Sequence, residues 1–419
     1  MFLTLKAKIV CSENTEAILR DCLYSSTKLY NGLIYHLREE YEINGKVNLS
    51  DSHLNALTKT LPRSRNLFSQ SVQQVWKEVR WAYRSFFALK KNGKTKTRPP
   101  GFRKRTTLSP IRYVQHGFRI FRKNGSTYLA LSLGNSRPDG VKKITVKLYH
   151  RPGIRFDKVK CLQITYDTKN GSFEARLVME AQPKAKAPGS GKVAVDLGET
   201  HLLACIFSDG SQYLISGRLI KSIRRYWQKV RRKVKPPSQL NPKMSRRYRQ
   251  IQRKEKNTIS HLLHIVSKNF VQLCVEKGVS EIAIGYPKDI REYLNQGRYL
   301  NQRLHAWPFA KLIEYIHYKA QLEGIKVYLV DEANTSQTCP ICGLTNKKNR
   351  KSRGNFECEK CGISSHADLV GAINIYQRAY HVSPLKRSSG CLAQPVVWRL
   401  NAHSIFSPTI HEPESSLVA

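Results

Sequence analysis

Four cysteines carry the most defined chemistry in the chain. Cys339 and Cys342, then Cys358 and Cys361, form two C-x2-C pairs separated by fifteen residues. Each pair puts two thiolates on one side of a tight loop, and two such loops close a tetrahedron around Zn2+. Gly343 and Gly362 follow the second cysteine of each pair, where such loops need positive φ. Four protein ligands leave no open coordination position, so this site is structural and supplies no reaction. Two acids have more reactive settings. Asp196 ends the apolar run KVAVD with Gly198 beside it, and Asp368 opens the helical segment HADLVGAINI just after the last cysteine pair. An acid at the end of a central strand lines metal sites, although it equally suits a satisfied turn aspartate.

Charge defines the partner class. Lys and Arg total 72 against 30 acids, a net +42 over 419 residues. That excess points to a polyanion, with 40% apolar content enough for real cores. No run of 18 apolar residues exists and the first residues lack signal-peptide order, so nucleic acid is favoured over a membrane. Residues 218–256 hold sixteen Lys or Arg and one acid, Glu255. Arg224, Arg225, Arg231, Arg232, Arg246 and Arg247 are interleaved there with Trp227, a composition suited to phosphate contact and base stacking. A second basic segment, residues 90–105, is broken by Pro and Gly and ends in Arg103, Lys104 and Arg105. Gln70, Gln74 and Lys77 share the polar side of a helix over 69–90, where Gln reads base edges and Lys holds phosphate. An ordinary solvated face explains that side equally well. The six cysteines outside the pairs are scattered, as expected of reduced thiols in a cytosol.

The elements that position these residues fall into two styles. LTLKAKIV alternates as a strand, a helix follows over 15–42, and from 113 to 180 period-two segments with turns at Asn124-Gly125 and Asn170-Gly171 predict a small β-barrel or curled sheet. After the linker 183–191 the order is β-β-β-α-β-α-β, then the cysteine segment, then a helix. Pro236-Pro237 is expected to split the basic arm into two helices, with a third returning to the core. That order is the one of an RNase H-like fold.

The VDLG at Asp196, the TSQTCPICG and CEKCG pairs, and HADLVGAINI (Asp368, Asn374) together resemble the OrfB/TnpB proteins of insertion sequences, relatives of type V CRISPR effectors. LYNGLI, AYRSFF and PPGFRKR agree more loosely in the N-terminal half. The resemblance implies a RuvC-type nuclease in a transposable element, cutting double-stranded DNA beside a short flanking motif under a guide RNA from the element's own end. It also implies Mg2+ held by clustered carboxylates, Asp196 and Asp368 among them. One departure stands out. The family's glutamate after the fourth strand is absent, and IAIGYPKDI puts Gly285 there. Glu281 is four residues back along the strand, about 13 Å away, and Asp289 lies on a loop beyond Pro287. Glu332, at the end of the neighbouring strand, is the expected replacement, crossing above Gly285, with a surface role as its alternative.

The expected architecture is multidomain α+β. Residues 1–10 and 105–182 form a β-barrel (wedge-like) domain around a helical recognition insert, 11–104. Residues 191–338 and 362–380 form the RuvC unit with a basic arm at 218–275. The zinc ribbon is 339–361, and the tail 381–419 is expected to be mostly disordered. A nuclease-inactive RNA-guided repressor, and a transposase or accessory protein acting on element ends, are the alternative functions. Localisation is expected in the prokaryotic cytoplasm at the nucleoid, as monomer or dimer.

Overall fold

The computed structural model describes residues 1–94, 96–114, 116–150, 156, 159–168, 171–234, 246–286, 307–352, 354–382, 395–400 and 406–409. The chain divides into two compact units, Met1–Ala181 and Gln182–Ala419.

In the first unit, β1 (Phe2–Val10) leads into α1 (Glu13–Asn44), α2 (Asp51–Thr60) and α3 (Ser69–Lys91). Ser12 caps α1 by accepting from the Thr15 N–H, and Gly45 ends it in the left-handed region at φ 63°. The strands β2 (Ile111–Val114), β3 (Phe118–Lys123), β4 (Ser126–Ser132), β5 (Lys143–Tyr149), β6 (Val159–Asp167) and β7 (Ser172–Glu180) follow. All pair antiparallel in the order β2-β6-β7-β1-β5-β4-β3. The first strand therefore sits in the middle of the sheet. Asn124 and Gly125, at φ 48° and 68°, make the β3–β4 hairpin turn. Leu19, Leu23, Leu33 and Leu37 of α1 share one buried cluster with Leu129, Leu162 and Leu177 of the sheet.

In the second unit, β8 (Gly191–Asp196), β9 (His201–Phe207) and β10 (Gln212–Ser216) precede α4 (Arg218–Val234) and α5 (Arg246–Glu276). Then come β11 (Val279–Tyr286), α6 (Phe309–Leu322), β12 (Lys326–Asp331), the small hairpin β13 (Asn355–Glu357) and β14 (Ser364–His366), and α7 (Ala367–Tyr380). The strands β15 (Val396–Leu400) and β16 (Phe406–Thr409) complete the sheet order β12-β11-β8-β9-β10-β15-β16. β8, β11 and β12 run parallel, so their C-terminal ends share one edge. Helices α5 and α6 pack on one cluster of the sheet through Leu263, Val266, Phe270 and Ile316. α7 closes another through Leu369, Ala372, Ile373 and Ile375.

One expectation needs correction. The second half of the basic arm and the core helix after it are one helix, α5, because no Pro or Gly interrupts 246–276. Pro236-Pro237 and Asp289 lie outside the described residues. Within the described part of the tail, Val396–Leu400 is a strand. It pairs parallel to β10, and Trp398 meets Tyr213 edge to face at 5.7 Å. The short VVWRL run buries enough apolar surface against an open sheet edge to order itself. No helix among the described residues is long and apolar enough to cross a membrane.

Candidate active site and four-cysteine cluster

The shared strand edge gathers the acids. Asp196 is the last residue of β8, Glu332 follows the last residue of β12, and Asp368 stands in the first turn of α7. All three line one cleft of about 320 Å3, together with His201, His366 and Arg350.

Two glycines make this convergence possible. A Cβ at Gly371 would come within 2.6 Å of Asp196 Oδ2, so a side chain there would displace the carboxylate from α7. A Cβ at Gly285 would lie 3.0 Å from Glu332 Oε2 and 2.5 Å from Ile375 Cδ1. The Glu332 side chain thus passes over Gly285, in the space that a residue with a side chain would fill. Its backbone is held from α7: Arg378 donates to the carbonyls of Asp331 and Ala333 at 2.5 and 3.1 Å. Asn374 donates to the carbonyls of Thr335 and Thr338 at 2.6 and 2.7 Å, and Gln377 to that of Pro340 at 3.0 Å. One helix therefore carries Asp368 and fixes the segment that bears Glu332.

The electrostatics are those of crowded carboxylates. Burial, then Glu332, then Asp368 hold the Asp196 carboxyl well above its ordinary range, with Arg350 opposing. Burial and then Asp331 push Glu332 up to about 7. Glu332 Oε2 is buried and accepts no hydrogen bond. His201 Nδ1 lies 2.9 Å from Asp368 Oδ2, and His366 Nδ1 accepts from the Asp368 backbone N–H at 3.2 Å.

The cysteines form a separate cluster. Sγ atoms of Cys339 and Cys361 are 3.5 Å apart, as are those of Cys342 and Cys358, and all four lie within 4.8 Å of one another. Tetrahedral zinc places thiolates about 3.8 Å apart, so the four residues fit it. The two loops are copies of one another. Gly343 donates to the Cys339 carbonyl at 3.0 Å with φ 71°, and Gly362 to that of Cys358 at 2.9 Å with φ 69°. Cys339, Cys358 and Phe356 pack on Ala367 and Val370, tying the ribbon to the start of α7.

The basic residues are more dispersed. Lys104, Arg105, Arg225, Arg232 and Arg247 are exposed. Arg103 is committed internally: its guanidinium donates to Glu78 at 2.6 Å and Ser109 at 2.9 Å, and lies 3.7 Å over the Tyr30 ring. It pins the Pro/Gly loop rather than standing free for phosphate. Arg231 pairs with Glu255 at 2.6 Å, joining α4 to α5. Arg224 is half-buried over the Trp307 ring at 5.9 Å. Trp227 is half-buried beside the exposed Tyr226. On α3, Gln70, Gln74 and Lys77 are half-buried, with Gln70 Oε1 buried and unbonded and Lys77 near the Trp76 ring. The side chain of Arg246 lies outside the described residues.

Sequence reasoning missed His201, His366 and Arg350. His366 is legible in retrospect as the residue capping the helix that carries Asp368. His201 is brought back to the cleft by the β8–β9 turn, and no local pattern marks Arg350.

Two regions of the chain match known protein families. Residues 176–291 match the OrfB_IS605 family, described as "Probable transposase", and residues 309–375 match the family described as "Cas12f1-like, TNB domain". Among solved structures, the chain is similar to the protein of a Cas12f1-sgRNA-target DNA complex, with TM-score 0.59 and 18% identity over 87% of this chain and 83% of that one. The fold is thus a mixed α/β one shared with that protein, and it carries a four-cysteine cluster. The chain is 27% identical over 402 residues to the TnpB-like protein ORF457 of Acidianus two-tailed virus, spanning 88% of this chain and 84% of that protein. It is 26% identical over 329 residues to the "Putative RNA-guided DNA endonuclease InsQ" of Escherichia coli K12, spanning 75% of each. The chain is thus similar to OrfB/TnpB proteins across most of its length.

Proposed function

We propose that the protein is an RNA-guided DNA endonuclease of a transposable element, cleaving double-stranded DNA beside a short flanking motif. The observation that carries this reading is the meeting of Asp196, Glu332 and Asp368 in one cleft, with Glu332 passing over the glycine that replaces the family's usual acid. The names of InsQ and the Cas12f1 complex support the guided and endonucleolytic parts.

The donor set fits hard divalent cations. Three carboxylates offer only oxygen, Glu332 Oε2 is buried without a partner, and Asp196 is too crowded to ionise easily without added positive charge. Asp196, Glu332 and Asp368 would hold magnesium, which when bound supplies Lewis-acid charge and an activated water. The chain's own contribution is placement. The parallel strands set Asp196 and Glu332, α7 sets Asp368, and Arg350 adds a positive charge on the rim. The four cysteines would hold zinc and stiffen the entry to α7.

On this reading the second unit is a RuvC unit of RNase H-like type. The antiparallel sheet of the first unit is the wedge-like barrel, carrying the helices 11–104 as a recognition insert. Exposed Lys104, Arg105, Arg225, Arg232 and Arg247 are the candidate phosphate contacts for guide RNA and DNA.

The test is purification of the full chain with its native 3′ flanking DNA transcribed alongside. The bound RNA is sequenced and cleavage of a randomised target library is measured. Guided cutting in Mg2+ that is lost in Asp196→Ala is the expected result. Guided binding without cutting would instead indicate a repressor, and activity without RNA would indicate a transposase.

A further inference from the structure

An ionised carboxylate only accepts, whereas a phosphodiester brings oxygens that need donors. Two imidazoles stand beside those acids, and their hydrogen bonds set opposite proton positions. His201 Nδ1 is 2.9 Å from Asp368 Oδ2. A carboxylate only accepts, so His201 Nδ1 carries the proton and its Nε2 is bare in the neutral ring. His366 is the reverse. As N-cap of α7 it accepts the Asp368 backbone N–H through Nδ1 at 3.2 Å, and a backbone N–H only donates. Nδ1 of His366 is therefore unprotonated, and the proton of the neutral ring is on Nε2. Protonating the ring fully would break the cap.

The two rings meet edge to face with centroids 4.8 Å apart, and both line the cleft. No described residue is hydrogen-bonded to Nε2 of either ring. We propose that His366 is a neutral hydrogen-bond donor to a non-bridging oxygen of the scissile phosphate, its Nε2–H fixed by the helix cap. His201 is a positioning residue that orients Asp368. This rests on the nuclease reading and adds the group that meets the phosphate. A donor held in place before the reaction costs no reorganisation when charge develops on that oxygen. The helix makes the arrangement self-consistent: the N–H that sets the ring's tautomer belongs to Asp368 itself.

The test has two arms and uses the full chain with its guide RNA. In the first, 15N-histidine NMR should find His366 as a neutral Nε2–H tautomer. Its Nε2–H resonance should move downfield on adding guided target DNA, but not with one of the two methylphosphonate diastereomers at the scissile position, the one that lacks the bonded oxygen. A cationic ring, an Nδ1–H tautomer, or an equal response to both diastereomers would overturn the proposal. So would 14N coupling from His366 to bound Mn2+ in pulsed EPR, since ligation at Nε2 requires that atom to be bare. This arm decides the donor even if the protein proves unable to cut, in which case the nuclease reading alone falls.

In the second arm, His366→Asn keeps a side-chain acceptor for the cap. It should slow cutting about 100-fold with target affinity unchanged. Wild type should be slowed more by sulfur at one non-bridging oxygen of the scissile phosphate than at the other, and the variant should lose that difference. A variant that cuts normally, or that slows but keeps the sulfur preference, overturns the donor role. His201→Asn should retain the preference while raising the Mg2+ concentration needed for half-maximal rate.

Discussion

The two candidate ligand clusters of the second unit are assembled in opposite ways. The four thiols come from two local loops of identical design, each closed by its own backbone bond from a glycine in the left-handed region. The three carboxylates come from β8, the end of β12 and α7, separated by more than a hundred residues between the first two. The cysteine cluster is therefore tolerant of what surrounds it and readable from spacing. The acid cluster depends on strand order, on Gly285 and Gly371 leaving space, and on α7 clasping 331–340.

That contrast is most directly broken at the acids. Asp368→Ala or Asp196→Ala should reduce cleavage about a thousand-fold or more while guided binding survives, measured by single-turnover cutting beside filter binding. Glu332→Gln should do the same, and normal cutting by it would restore Glu332 to a surface role. Its stability signature is separate. Glu332 is protonated in the folded chain up to about pH 7 but ionises near 4.5 when unfolded. The folded state thus holds more protons between those values, and stability of metal-free protein falls as pH rises through that window. Asp196, raised in the same direction, adds to the fall. Glu332→Gln should flatten the decline in Tm from pH 5 to 8. An unchanged slope would place the carboxylate in a solvated setting.

Cys358→Ser probes the local cluster. Zinc content by atomic absorption should drop to background and hydrogen exchange should rise through 355–368, because ligation energy is folding energy in such a small unit. Protection unchanged in Asp368 and its neighbours would mean that Phe356 and Val370 alone hold the ribbon to α7.

Smaller effects follow at the periphery. Ending the chain at 394 removes β15 and leaves β10 as an open edge. The half-buried Val397, Trp398 and Leu400 predict a loss of about 2–4 kcal/mol, read by denaturant unfolding. An unchanged midpoint would show the strand undocked. Least of all, Arg225→Gln with Arg232→Gln should lower the salt slope of RNA binding by about 2, whereas Arg231→Gln, already paired with Glu255, should leave the slope and loosen the arm. Equal slopes for all three would remove the distinction between free and committed arginines.

Residue types and spacing by themselves determined the four-cysteine cluster, the alternation of strands and helices after the linker, and the positions of Asp196 and Asp368 at a strand end and a helix start. These are short-range properties, carried by turns, caps and periodicity within a few residues. Other features were decided only in three dimensions. Arg103 and Arg231 read as phosphate ligands in a basic run, yet each found an acid, Glu78 and Glu255, on a packed neighbour. VVWRL has too little length to declare itself a strand until β10 offers an edge. His201, His366 and Arg350 acquire meaning only when a hairpin turn, a helix cap and the ribbon bring them to the same cleft. Glu332 lies between the two cases. Its candidacy followed from counting strands, but its reach over Gly285 depends on Ile375 and α7 packing above the sheet. Packing decides which neighbours a side chain meets, and a linear order of residues holds that information only where the contact is local.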